Sequence, residues 1–104
     1  MKIVLMLTLL SATAASTAHA AEPGRDLFER RCEVCHAAGN MGALALGSRL
    51  GADKAILAAR TDLLPAYTRL VVRKGVGIMP PITRVELTDE DLEAVVRYLT
   101  VGRP

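Results

Sequence analysis

The chain has 104 residues, 51% of them hydrophobic and 23% charged, with a formal net charge of +2. That length suits one domain with a marginal core. Basic and acidic residues are interleaved, without the basic runs that bind phosphate backbones, so a nucleic-acid partner is excluded.

Residues 1–20 read MKIVLMLTLLSATAASTAHA. Lys2 gives a basic start, Ile3 to Leu10 is apolar but for Thr8, and small residues lead to Ala18-His19-Ala20. This is the pattern of a secretory signal peptide with an A-x-A cleavage site. It predicts cleavage after Ala20, a single domain over residues 21–104, and a periplasmic location. The apolar run falls far short of the roughly 20 residues that span a bilayer. No cysteine follows the cleavage point to take a lipid, so no stable membrane insertion is expected after cleavage.

Three segments then read as helices. The first runs from about Pro23 to Cys35, with Pro in the first turn and Phe28, Cys32 and Cys35 on one face. The second runs from about Pro65 to Lys74 and places Tyr67, Leu70, Val71 and Lys74 together. Arg73 and Lys74 suit its last turn, and Gly75 suits the position after it. The third follows Thr88, an N-cap with Asp91 three residues on, and carries the stripe Leu92, Val95, Val96, Leu99. Leu87 and Leu92 are placed to staple across that cap. A weaker signal marks a short fourth helix over Asp53 to Arg60. The stretches AAGNMGALALGSRLG and GVGIMPPITRVE read as loops, rich in Gly, Pro and small residues. No strand alternation is present. Loops this long in a small all-α domain suit a large bound group. Aromatic residues make up only 3% (Phe28, Tyr67 and Tyr98, with no Trp), so the middle of the domain needs another filler.

The chemistry concentrates in CEVCH, residues 32–36. A thioredoxin-type dithiol needs a strand before its first Cys, and these cysteines lie late in a helix. Zinc needs four ligands, and Cys32, Cys35 and His36 are the only thiol or imidazole groups after the leader. A disulfide would close a tiny loop, gain little entropy, and leave His36 unexplained. The remaining reading uses all three groups: C-x-x-C-H is the attachment sequence of c-type haem. Cysteines three apart on one helical face can form thioethers to the two vinyl groups of one porphyrin edge. His36 is then held where its imidazole reaches the iron.

A second axial ligand closes the iron for electron transfer, and the usual one in an electron carrier is a Met thioether. Met41 follows His36 too closely to cross to the opposite face of the ring. Met79 lies far downstream in Gly-Val-Gly-Ile-Met-Pro-Pro, where glycines allow tight turns and Pro80 and Pro81 stiffen the chain. His36 and Met79 are the expected ligands of the iron.

With these residues placed, the chain resembles the class I cytochromes c of bacteria. The likeness runs through Gly24, Phe28, Cys32, Cys35 and His36, then Arg73-Lys-Gly-Val-Gly-Ile-Met79-Pro80, then Leu87-Thr-Asp-Glu-Asp-Leu with Val95, Val96 and Tyr98. It implies an all-α class I cytochrome c fold, three to four helices wrapped round one covalent haem c. The terminal helices would cross, with Gly24 allowing close approach and Phe28 near Val95 and Tyr98. In the family a Pro carbonyl after CxxCH accepts a hydrogen bond from the proximal His; here Gly42-Ala43-Leu44 stands there, and the Ala43 carbonyl would have to serve. Arg49, ahead of Arg60 and Arg73, is the candidate to meet the haem propionates, and Tyr67 is a further donor. Leu44, Leu46, Leu50, Leu70, Val71 and Ile78 are expected to line the pocket.

The expected function is single-electron transfer between redox proteins, a dehydrogenase and/or a terminal oxidase, with no catalytic residue and no small-molecule substrate. Stretches before the Met loop are similar to the small cytochromes that serve periplasmic dehydrogenases, such as the cytochrome subunit of flavin-dependent alkylphenol hydroxylases. A dedicated electron-accepting subunit of such a complex is the first alternative. A haem sensor or peroxidase-like protein with an open iron site is the second.

Overall fold

A computed structural model describes residues 22–101. The signal peptide expected over residues 1–20, and the mature start at Ala21, lie outside the described residues. Helix α1 (Pro23–Arg31) starts on Pro23 as its sequence predicts. It does not run unbroken to Cys35. Cys32 closes it, donating its N–H to the Phe28 carbonyl at 2.8 Å, and then begins a new short helix, α2 (Glu33–His36). The N–H groups of Cys35 and His36 both donate to the Cys32 carbonyl, at 3.1 and 2.9 Å. This local tightening is invisible to a 3.6-residue period.

The stretch read as a loop after CEVCH is a correction: it folds into α3 (Met41–Leu50). Gly39, at φ +82°, turns the chain. Asn40 sits at the N-cap, and its Nδ2 donates back to the carbonyls of Glu33 and Val34, at 3.1 and 3.2 Å, tying α3 to α2. The helix expected over Asp53 to Arg60 is likewise replaced by two 3₁₀ turns, Ala52–Lys54 and Leu57–Ala59, because Ile56 between them is extended.

Helix α4 (Pro65–Lys74) and helix α5 (Asp89–Thr100) follow their sequence signals closely. Thr88 Oγ1 accepts the Asp91 N–H at 3.1 Å, and Asp89, Glu90 and Asp91 place negative charge at the positive end of the α5 dipole.

Phe28, Val95, Tyr98 and Leu99 form one buried cluster, where α1 crosses α5. The Phe28 and Tyr98 rings lie 5.7 Å apart at a tilt of 48°, a favourable aromatic geometry. At Gly24 an added Cβ would strike the Ala94 carbonyl and come within 3.0 Å of Tyr98 Cβ, so only glycine lets the helices approach this far. Leu87, Leu92 and Val96 form a second cluster, with Val72 of α4 and Ile82 packed against it. The staple across the α5 cap is therefore also the seat of α4. Arg69 and Glu93 join the same two helices in a two-pronged ion pair. The fold is all-α; among the described residues the only β pairing is the isolated bridge Val76–Met79, and no helix is long and apolar enough to cross a membrane.

Candidate cofactor site

The Cys32–His36 turn presents two free thiols, Cys32 half-buried and Cys35 exposed. Burial, reinforced by the neighbouring Cys35 and Glu33, pushes the Cys32 thiol up to about 11, so it is protonated at neutral pH. Burial also lowers the pKa of His36, which favours a neutral imidazole with a lone pair free for a metal. Its Nδ1 is buried and has no hydrogen-bond partner among the described residues. The expected bond from His36 to the Ala43 carbonyl is thus not made. Ala43 lies inside α3, where helical geometry directs its carbonyl along the helix. What α3 does supply is close contact: at Gly42 an added Cβ would sit 2.8 Å from the Cys35 carbonyl and 3.1 Å from His36 Cε1.

Met79 lies on a loop of fixed shape. The Val76 N–H donates to the Met79 carbonyl at 3.0 Å, and the Met79 N–H donates to the Val76 carbonyl at 2.9 Å. Gly75 (φ +71°) and Gly77 (φ +56°) make that turn possible. At Gly75 a Cβ would also lie 2.6 Å from the Met79 carbonyl and 2.8 Å from the Pro81 nitrogen. The loop returns to the helix it left, since the Ile82 N–H donates to the Val72 carbonyl at 2.8 Å. Met79 is half-buried; Met41, at the start of α3, is 64% exposed.

Helix α3 links the two halves. Its first turn lies on His36, and at its far end one Nη of Arg49 stands 3.4 Å from where a Gly77 Cβ would be. A cleft of about 160 Å³ beside the Cys32 thiol is lined by Arg31, Cys32, Ile82, Glu86 and Leu87, so the thiol turn and the exit of the Met79 loop share a wall.

The three candidate arginines separate. Arg60 is held by Asp62, which Lys54 also meets. Arg73 is held by the Ile82 carbonyl and Asp89. Arg49 has no hydrogen bond or ion pair within the described residues and remains open to an anion. The apolar residues expected to line a pocket stay outside both buried clusters. Leu44, Leu50, Leu70 and Ile78 are each more than half exposed, as is Tyr67, while Leu46 and Val71 are half-buried. Two free thiols, an unpartnered imidazole nitrogen, a thioether on a stiff loop, an uncommitted Arg and an uncovered apolar lining together suit a broad flat apolar group with a metal centre and carboxylate arms.

Three features lay beyond the sequence reading: the Asn40 tie, the contact of Gly42 with His36, and the Arg73 bond to Ile82. Only Gly42 carried a usable signal, a glycine within an otherwise helix-forming run.

The family model described as cytochrome c oxidase, cbb3-type, subunit III matches residues 19–99. Among solved structures, a chain of the crystal structure of p-cresol methylhydroxylase with substrate bound is similar, with a TM-score of 0.55 and 27% identity. The match covers 78% of this chain and 93% of that one. No curated protein matches.

Proposed function

Because the chain belongs to the family of cbb3-type cytochrome c oxidase subunit III, and so to the class I c-type cytochromes with covalent haem c, we propose that it is a periplasmic His36/Met79-ligated electron carrier. When bound, haem c supplies a one-electron couple at its iron. Cys32 and Cys35 would hold it through thioethers on one helical turn. The neutral His36 imidazole and the Met79 thioether would hold the iron, and a thioether ligand favours the ferrous state. Leu44, Leu50, Leu70 and Ile78 would exclude water from the ring, and Arg49 would meet a propionate. The observation that carries this reading is α3, which begins against His36 and ends against the loop of Met79.

The reading makes the chain a non-catalytic protein that exchanges single electrons with redox proteins through weak contacts. One observation favours a second reading, a dedicated electron-accepting subunit of a flavin dehydrogenase: the similarity to p-cresol methylhydroxylase covers 93% of that chain, and p-cresol is an alkylphenol. Isolating the native protein from periplasm at low salt and following haem absorbance through a sizing column separates the two. Haem running at the mass of this chain alone supports a diffusible carrier; haem running with a flavoprotein supports the subunit.

The ligands are tested in the ferric protein, which should show the weak far-red absorption band of a Met–iron bond. Met79→Ala should abolish the band and open the iron to cyanide. The same result from Met41→Ala, with Met79→Ala unchanged, would overturn the assignment.

A further inference from the structure

The Met79 loop leaves α4 after Lys74 and comes back to that helix's last turn at Ile82. Two bonds close it there. One is the Ile82 N–H to the Val72 carbonyl, at 2.8 Å. The other is Arg73, whose Nη1 donates to the Ile82 carbonyl at 3.1 Å while Nη2 donates to Asp89 at 2.8 Å. The Arg73 side chain is only 16% exposed, although Asp89 is 64% exposed. Its Nε is buried and unpartnered, so the guanidinium is held in place by the two Nη contacts alone. Asp89 is itself fixed, since Arg84 Nε donates to its other oxygen at 2.9 Å. The guanidinium therefore spans three pieces: the last turn of α4, the end of the loop, and the start of α5.

From this we infer that Arg73 is the positioning residue for Met79, the clasp that keeps the loop shut and the thioether at its post. The inference rests on Met79 as axial ligand. Arg73 reaches no cofactor atom by itself; it acts on a backbone carbonyl three residues beyond the sulfur. A guanidinium is suited to this because its rigid fork reaches a carbonyl and a carboxylate at once, which the single point of a lysine ammonium does not. With the clasp gone, the loop is tied at one bond rather than two. The open form becomes more populated, and an outside ligand that binds only the open form binds more tightly by the same factor.

The test uses the intact ferric holoprotein, with imidazole as the competing ligand and the far-red band as the signal. Met79→Ala is measured first. If the band survives in that variant, Met79 is not the ligand and the clasp falls with it. If the band is lost there, Arg73→Gln decides the inference. The expected result is imidazole binding about tenfold to a hundredfold tighter than in the wild type, the size of a lost charge-assisted hydrogen bond. Exchange protection of the Ile82 amide should fall with it, and Arg73→Lys, which keeps the charge and the stem, should lie between. Imidazole binding unchanged in Arg73→Gln, even with a lower guanidinium midpoint, would show a merely structural arginine and overturn the inference. Should Arg73→Gln not accumulate, Arg73→Lys carries the decision alone: wild-type imidazole affinity and wild-type Ile82 protection refute the clasp.

Discussion

Gly24 of α1 lies directly on the backbone of Ala94 in α5, so that even a methyl group on Gly24 would overlap the Ala94 carbonyl. The obstacle is backbone on a packed helix, which cannot rotate aside as a side chain does. Gly24→Ala should therefore destabilise the fold by about 2–3 kcal/mol despite the better helix propensity of alanine. Guanidinium unfolding followed by circular dichroism measures it, and a stabilised variant would mean that the helices slide apart at little cost.

Phe28, 1% exposed, fills the crossing against Val95, Tyr98 and Leu99. Truncating it leaves a cavity between two helices that Gly24 already holds in contact, so collapse is limited. Phe28→Ala should cost about 3–5 kcal/mol. The same unfolding series reads this out, and Phe28→Leu should recover more than half of the loss.

Gly75→Ala tests the shape of the Met79 loop. Alanine at φ +71° is strained, and its Cβ would press on the Met79 carbonyl and the Pro81 nitrogen. The far-red band of the ferric protein should weaken or vanish, while the helical circular dichroism signal stays near wild type, since the turn lies outside both buried clusters.

Acid should loosen the charged contacts in a definite direction. The pKa of Asp89 is lowered by its hydrogen bonds to Arg84 and then Arg73. Glu93 is lowered by Arg69, and Asp62 by Arg60 and then Lys54. For each, the unfolded chain takes up a proton at higher pH than the folded one. Their stabilisation is therefore complete above the ordinary carboxylate range, about pH 4, and is lost as pH falls through the lower folded values. The unfolding midpoint should drop steadily from pH 5 to pH 3, and Asp89→Asn should flatten part of that slope. These groups are open to solvent, so added salt should shrink the effect.

Thr88→Ala removes the acceptor for the Asp91 N–H and should cost about 1 kcal/mol. Thr88→Ser should restore most of it.

Helices α4 and α5 could be read from sequence because their signals are local. Pro65 and Thr88 mark the starts, Gly75 marks an end, and the stripe of α5 faces its partners with the period of a helix. Helix α3 could not, because Gly42 and Gly47 look like breakers. Their reason is steric and lies elsewhere in the chain. A Gly42 side chain would strike the Cys35 carbonyl, and one on Gly47 would crowd Ala55 at 3.3 Å. The candidate cofactor residues stand out in the sequence as a set, since CxxCH and the Gly-Val-Gly-Ile-Met-Pro loop each gather their donor groups and turn residues in consecutive letters. The hold of Arg73 on that loop was not, because its partner is the carbonyl of Ile82, and a carbonyl belongs to every residue alike.

The crossing of α1 and α5 also sets when the chain can fold. Gly24 and Phe28 meet partners that lie almost at the other end of the described sequence, so the main core depends on a long-range pairing of the described residues. Closing so long a span comes before its contacts can repay the lost freedom. A growing or truncated chain that stops short of Asp89 holds CEVCH and the Met79 loop already, yet lacks Val95, Tyr98 and Leu99, the buried partners of Phe28. Such a fragment should be cut readily by protease, and resistance should arrive abruptly once α5 is present.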